Sequence, residues 1–324
     1  MKLKALVREH TGHEPITDAA RTEAGGFGRG AALVADATAW VLLDEQPERG
    51  LGAALAWAGR QPDVREVAII AESSTGLLAR RAALFSTPIS VWHAVDRVLI
   101  PAVPEPYPPM VDVDPLHATW SEVIAAGGAD PVQEHGVLAG EIRGLEVCRV
   151  VTDAYTGETR LEVGVGVHDR ESFMTLHGNR PTVEALAGVV EAVVGHRRVD
   201  APLHPLNRLG AERFLRWQAV EQPERVGAAR LRVADPPVPR PNLKDPVPCV
   251  AIGESLSGEP LVVVCSVGID LDLVPFAVDA RQMLLPESPD AAVLLLVPER
   301  DASPVTRRLA DLAVGPVRVV PSTF

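Results

Sequence analysis

Residues 66–95 read EVAIIAESSTGLLARRAALFSTPISVWHAV. The apolar run to Ala71 lacks polar alternation, the pattern of a strand buried on both faces. Ser73 to Gly76 break it, a helix is expected around 75–85, and Pro88 opens a second strand, 89–95. Strand, helix and strand at this spacing predict a parallel βαβ unit. Residues 291–322 repeat the wiring. Glu72 is followed eight and nine residues on by Arg80–Arg81, and Glu299 at the same spacings by Arg307–Arg308. Pro88 and Pro316 open the next strands, one residue out of register.

Working outward, AALVADA (31–37) and AWVLLDE (39–45) read as strands, followed by a helix from Leu51 to Arg60. In the last part CVAIGES (249–255) and PLVVVCSVG (260–268) precede a helix through Phe276 and Arg281. The expected fold class is α/β, two similarly wired βαβαβ-type units from an internal duplication around a middle α+β segment. Two proline-rich stretches divide the chain, PAVPEPYPPMVDVDP (101–115) and DPPVPRPNLKDPVP (235–248). Such stretches act as semi-rigid connectors. The expected organisation is an α/β unit over 1–100, a linker over 101–116, a helix–hairpin–helix segment over 117–232, a linker over 233–248 and an α/β unit over 249–324.

In the middle, HATWSEVIAAGG (117–128) and DPVQEHGVLAGEIRG (130–144) read as helices, the second with Asp130–Pro131 as cap and first helical residue. LEVCRVVTD (145–153) and TRLEVGVGVHD (159–169) follow as a hairpin, then helices over 182–197 and 205–221. Arg208, Glu212 and Arg216 fall four residues apart, and a salt-bridged solvent face is expected there.

The composition excludes several function classes. With 31 basic against 43 acidic residues the net charge is −12, which disfavours nucleic acid, whose binding rests on neutralised phosphates. Only Lys2, Lys4 and Lys244 are lysine, so 28 of 31 basic residues are arginine. With abundant Ala, Val, Gly and Pro, this points to a GC-rich, actinobacterial-type genome. No apolar run approaches the ~20 residues of a membrane span, and MKLKALVREHTG turns polar too soon for a signal peptide. Cys148, Cys249 and Cys265 sit in apolar runs as buried, unpaired thiols. A cytoplasmic protein is expected, with no membrane association.

GGFGRG (25–30) precedes a strand, whereas a dinucleotide loop follows one; there is no GK[ST] and no G-x-S-x-G. His10-x-x-His13 lacks a third metal ligand nearby. On the strand 160–169, Glu162, Gly164, Gly166 and His168 share a face by period two. Glu134 and Glu141 are expected on the preceding helix, and Asp153 ends the opposing strand. The candidate catalytic residues are therefore Glu141, Asp153, Glu162 and His168. The order of a helix Glu, a strand Asp and a Glu on the next strand resembles restriction-endonuclease-like nucleases. That resemblance implies helix–hairpin–helix–strand–helix–strand wiring, with acids and an E-x-K triplet around Mg²⁺. Here the third position is Gly164 instead of lysine. The corresponding strand of the last part reads VVVCS, and Asp44–Glu45 are followed by Gln46–Pro47.

The leading functional expectation is a non-catalytic cytosolic interaction or scaffold protein with a degenerate nuclease-like fold. It needs no cofactor, and its partner is another protein or a second copy. The alternatives are a Mg²⁺-dependent nuclease or phosphodiesterase at the four candidates, and a small-ligand binder in the cleft between the duplicated units. Under the non-catalytic reading the two glycines lie beneath another backbone segment, and Glu162 pairs with Arg143 or Arg149.

Overall fold

The computed structural model describes residues 2–15, 22–24, 30–166, 170, 182–198, 209–239 and 247–324. Helix α1 (Lys2–Thr11) precedes β1 (Thr22–Ala24), β2 (Ala31–Ala35) and β3 (Thr38–Leu42). Then come α2 (Leu51–Ala58), β4 (Glu66–Ala71), α3 (Thr75–Ala82), β5 (Ile89–Val95) and β6 (Val98–Pro101). These six strands lie in one sheet in sequence order. β3, β4 and β5 run parallel, and the hairpins β2–β3 and β5–β6 are antiparallel. Parallel steps require crossovers, which α2 and α3 supply. From Val67 onward every residue of β4 is buried, as in a strand covered on both faces. α2, LGAALAWA, has no charged residue and is buried on most sides. α1, to which the sequence reading assigns no structure, lays Leu3, Leu6 and Val7 over Trp40, Ile70 and Trp92.

The middle of the chain holds α4 (Pro115–Ala118), α5 (Ser121–Ala126), β7 (Asp130–Glu134), β8 (Val137–Ile142), β9 (Leu145–Thr152), β10 (Thr159–Val163) and α6 (Thr182–Val194). Its sheet is antiparallel throughout, in the order β10-β9-β8-β7. One face forms a core of Leu138, Ile142, Leu145, Val150 and Leu161 with Ile124 and Leu186. The chain continues as α7 (Ala211–Glu221), β11 (Ala228–Ala234), β12 (Cys249–Ser255), β13 (Pro260–Cys265), α8 (Leu273–Leu284), β14 (Ala292–Pro298), α9 (Pro304–Asp311) and β15 (Val317–Ser322). The third sheet has the order β11-β12-β13-β14-β15. The fold class is thus α/β, and all three cysteines are buried and outside any disulfide.

Residues 130–144 correct the helix expected there: they form the hairpin β7–β8. The turn is His135–Gly136, both left-handed at φ 50° and 72°, the conformation of a tight two-residue hairpin turn. Pro131 fits because β7 is an edge strand. Leu138 and Ile142 face the core, and Glu141 lies between them in sequence. The strand expected over 159–169 ends at Val163, so Gly164 and Gly166 lie beyond it and do not form a bare strand face.

Two compact units divide the chain. One comprises Met1–Tyr107, Ile269–Leu295 and Arg300–Val319; the other comprises Pro108–Gly268, Leu296–Glu299 and Val320–Phe324. Within the first, α8 packs on α3 and α9 on α2. The segments after α3 and α9 meet there in a short antiparallel bridge, Phe85 opposite Ala313. The Ser86 amide donates to the Leu312 carbonyl at 2.8 Å, and the Val314 amide to Leu84 at 2.9 Å. Within the second, α7 packs on β11, β12 and β13.

The β8–β9 turn is Arg143–Gly144, and a Cβ on Gly144 (φ +78°) would lie 2.3 Å from the Arg213 carbonyl carbon at the start of α7. Neither strain nor clash can relax without moving backbone. Gly144→Ala is expected to cost more than about 2 kcal/mol, measured by urea denaturation; an unchanged midpoint would show that the turn does not seat α7.

Candidate functional site

The four-stranded sheet turns its second face to charge. Asp130 on β7 is the cross-strand partner of Glu141 on β8, and Glu141 in turn of Glu146 on β9. Arg149 on β9 stands opposite Glu162 on β10. Glu141 and Glu146 are 3% and 1% exposed. Like charges directly opposed on a sheet repel, and buried carboxylates require partners, so this face is stable only with cations brought to it.

Arginines from α7, β9 and β10, together with Arg170, supply them. Arg213 on α7 bridges Glu141 and, at 2.7 Å, Glu134; Arg216 donates to Glu134 at 2.8 Å, with Glu141 at 3.7 Å. Arg149 grips Glu146 with two parallel bonds of 2.9 and 2.8 Å, the strong fork geometry of guanidinium on carboxylate. Arg170 donates to Glu146 at 3.0 Å and lies 3.8 Å from Glu162. Arg160 joins Glu162 at 2.8 Å to Asp153 at 3.2 Å. Burial works against the charge on Arg213, but Glu141 and Glu134 outweigh it and hold its pKa above the ordinary value.

Asp153 sits in the β9–β10 loop, where its carboxylate accepts from the Tyr155 and Thr156 amides at 2.9 Å each. The Thr156 and Tyr155 amides, then Arg160, hold its pKa down at about 2.

The first unit carries a second buried cluster. Arg80 on α3 holds Asp279 on α8 through bonds of 2.9 and 3.0 Å. Arg81 reaches Asp279 at 3.2 Å and Asp272 at 2.7 Å. The second carboxylate oxygen of Asp272 accepts from the Gly52 amide at 3.2 Å.

Of the residues chosen from sequence, Glu141 and Glu162 share one sheet, and Asp153 joins Glu162 through Arg160. Glu141 is on a strand, not the expected helix, and among the described residues its ion pairs are with Arg213 and Arg216. His168 lies outside the described residues. Glu162 is paired by Arg160 and Arg170 in place of Arg143 or Arg149, and Gly166 is open, with nothing within 4 Å of an added Cβ. Glu212 and Arg216 are buried, correcting the solvent face expected of them; Arg208 lies outside the described residues, as do residues 25–29 of the glycine-rich loop. His13 hydrogen-bonds Asp36 at 3.2 Å, while His10 packs against Trp92. Among the described residues no group of three or more His, Cys, Asp or Glu is placed to hold a metal ion. Glu146, Arg213 and Arg216, the centre of the lattice, were missed as site residues; the sequence signal for them was charge inside otherwise apolar segments.

No known family, no curated protein and no solved structure matches this chain.

Two outcomes follow from the lattice. Glu141→Gln leaves two buried guanidinium groups short of one negative charge and should cost about 3 kcal/mol or more; equilibrium unfolding measures this, and a loss below about 1 kcal/mol would contradict the pairing. Asp153 is lowered in the fold, so its contribution is fully present above the ordinary carboxylate range and is lost as pH falls through about 2. Its carboxyl carbon should therefore titrate near 2 by NMR; a midpoint near 4 would mean the loop does not hold it.

Proposed function

We propose that the chain is a non-catalytic interaction or scaffold protein, built on two copies of one αβββαβαβ module with the four-stranded segment between them. The observation that carries this reading is the spending of the acids: Glu141, Glu146 and Glu162 each direct carboxylate oxygens to arginine. Hard cations such as Mg²⁺ need those same oxygens, and guanidinium groups already occupy the space a metal would take. The resemblance to restriction-endonuclease-like proteins enters as a degenerate one, with acids retained as structural charge and Gly164 where the family has its lysine.

Two features support the duplication. The runs Lys2–Val95 and Ala211–Ser322 have the same element order, helix, three strands, then helix and strand twice. The strand orders β1 to β5 and β11 to β15 also correspond. With Pro88 and Pro316 as equivalents, Phe85 is the equivalent of Ala313, and the two stand opposite each other. Their flanking hydrogen bonds are reciprocal, as at an isologous contact. The partner is a cytosolic protein or a second copy; the charge of −12 disfavours a polyphosphate.

The test is calorimetric titration with Mg²⁺ and Mn²⁺, alongside assays on single- and double-stranded DNA, RNA and an activated phosphodiester. No binding and no turnover are expected, and Glu162→Gln should change neither. Mg²⁺-dependent cleavage by the wild type, abolished by Glu141→Gln or Glu162→Gln, would overturn the proposal in favour of the nuclease.

A further inference from the structure

Cys249 opens β12 and Cys265 closes β13, and the two stand directly opposite each other in the antiparallel pairing of these strands. Opposed residues of an antiparallel pair project to the same side of the sheet, with Cα atoms about 4.5–5.5 Å apart. Disulfides close over Cα separations of about 4.4–6.8 Å, so a bond between these two sulfurs needs no change of register. Both residues are buried and outside any disulfide. Cys148 is buried as well, but its cross-strand neighbours are Val163 on β10 and Gly140 on β8, and neither is a thiol.

α7 packs on β12 and β13 and brings positive charge to the pair. Burial works against the charge of Arg216, but Cys249, then Glu141 and Glu134, favour it and hold its pKa up. The charge of Arg213, also opposed by burial, is favoured by Glu141 and Glu134 and then by Cys249. Guanidinium charge beside a sulfur favours the thiolate, which is the form that attacks. Cys265 is placed differently: burial, then the facing Cys249, push its thiol up, and Arg216 opposes them.

We infer that Cys249 and Cys265 form a redox site at which a peroxide closes a cross-strand disulfide, with Cys249 the attacking and Cys265 the resolving thiol. The inference goes beyond the scaffold reading and does not depend on it. The Cys249 thiolate attacks one peroxide oxygen, the O–O bond breaks, and the departing hydroxide takes up the proton that Cys249 gave. This leaves a sulfenic acid at Cys249 and one water. The Cys265 sulfur then attacks the Cys249 sulfur, its proton leaves with the hydroxyl as a second water, and the S–S bond forms. The two thiols lose two electrons, and the peroxide gains them. A small peroxide suits sulfurs this well covered, where a bulkier disulfide has no approach. Directly opposed Cβ atoms stand about 4.5–5.5 Å apart, and a disulfide draws them to about 3.5–4.5 Å. The closed form is therefore strained, and strained disulfides are the readily reduced ones.

The test exposes the native full chain to hydrogen peroxide, quenches it, alkylates in denaturant and maps the cysteines by mass spectrometry. Loss of label at Cys249 and Cys265 together is expected, with a peptide pair cross-linked between them and recovery of both thiols on adding dithiothreitol. Cys148 should lose its label about tenfold more slowly or worse. In Cys265→Ser, Cys249 should stop at the sulfenic acid and react with dimedone; in Cys249→Ser, Cys265 should stay a thiol. The wild-type map decides the question even where a variant fails to fold. Retention of all three labels, oxidation of Cys148 as fast as Cys249, or over-oxidation of Cys249 while Cys265 stays a thiol would each overturn the inference. The metal and phosphodiesterase assays leave these outcomes untouched, so the two readings fail separately.

Discussion

Glu141 and Glu146 face each other across β8 and β9, both almost fully withdrawn from water. Two carboxylates in that position cannot both stay charged without nearby cations, and much of the surrounding unit is arranged to provide them. Arg213 and Arg216 lie three residues apart on α7, so both reach the sheet from one side of the helix. The turn at Arg143–Gly144 tucks against the backbone of Arg213, which fixes where α7 begins. Arg197 reinforces this corner by donating to the carbonyls of Arg143 at 2.6 Å and Leu209 at 2.9 Å. The charged lattice therefore sets the position of a helix that also packs on β11–β13. A hydrophobic replacement of equal shape could match it in stability. What directed charge adds is register, because each guanidinium fits its own carboxylate pair.

Under the proposed scaffold reading the lattice is inert, and the reason is definable. A carboxylate serves as metal ligand or general base through a lone pair directed at the reacting partner. In Glu146 both oxygens are held by Arg149, and one of them by Arg170 as well. In Glu162 one oxygen faces Arg160 and the other Arg170. An acid row on a sheet face and a catalytic row look alike in one dimension; the arginines on the facing elements separate them.

That difference marks how far the sequence could be read. The segment 66–95 was legible because buried parallel strands and a short crossover helix leave periodicities that no other local structure shares. Residues 130–144 were not: Asp130–Pro131 looks like a helix start, while the signal that governs is His135–Gly136, whose left-handed pair folds the chain back on itself. The lattice was only half legible. Glu141 and Glu162 stand out as acids in apolar strands, but their partners lie 72 residues away at Arg213 and nearby at Arg160. The spacing of Glu212 and Arg216 suggested solvent because a period of four describes one side of a helix, not what covers it. Asp272 and Asp279 were passed over as well: the sequence shows a helix through Phe276 and Arg281, and only Arg80 and Arg81, about 200 residues earlier, give the two acids a role.

The repeated register shows the same limit in another form. Arg80–Arg81 and Arg307–Arg308 follow Glu72 and Glu299 at the same spacing, but α3 starts at Thr75 and α9 at Pro304, so counted along the helices Arg80 and Arg81 correspond to the buried Leu309 and Ala310. α8 carries Asp279 in its buried face, whereas α2, in the corresponding place against α9, consists of Ala, Leu, Gly and Trp. A helix without an acid cannot stabilise a buried guanidinium, since an unpaired charge in an apolar setting costs far more than its side chain gains by packing. On α9 the packing is accordingly left to Thr306, Leu309 and Ala310, and Arg307 and Arg308 lie on its exposed side. An acid on the facing helix thus decides whether a buried helix position can hold arginine or only an apolar residue, and spacing along the sequence does not reveal it.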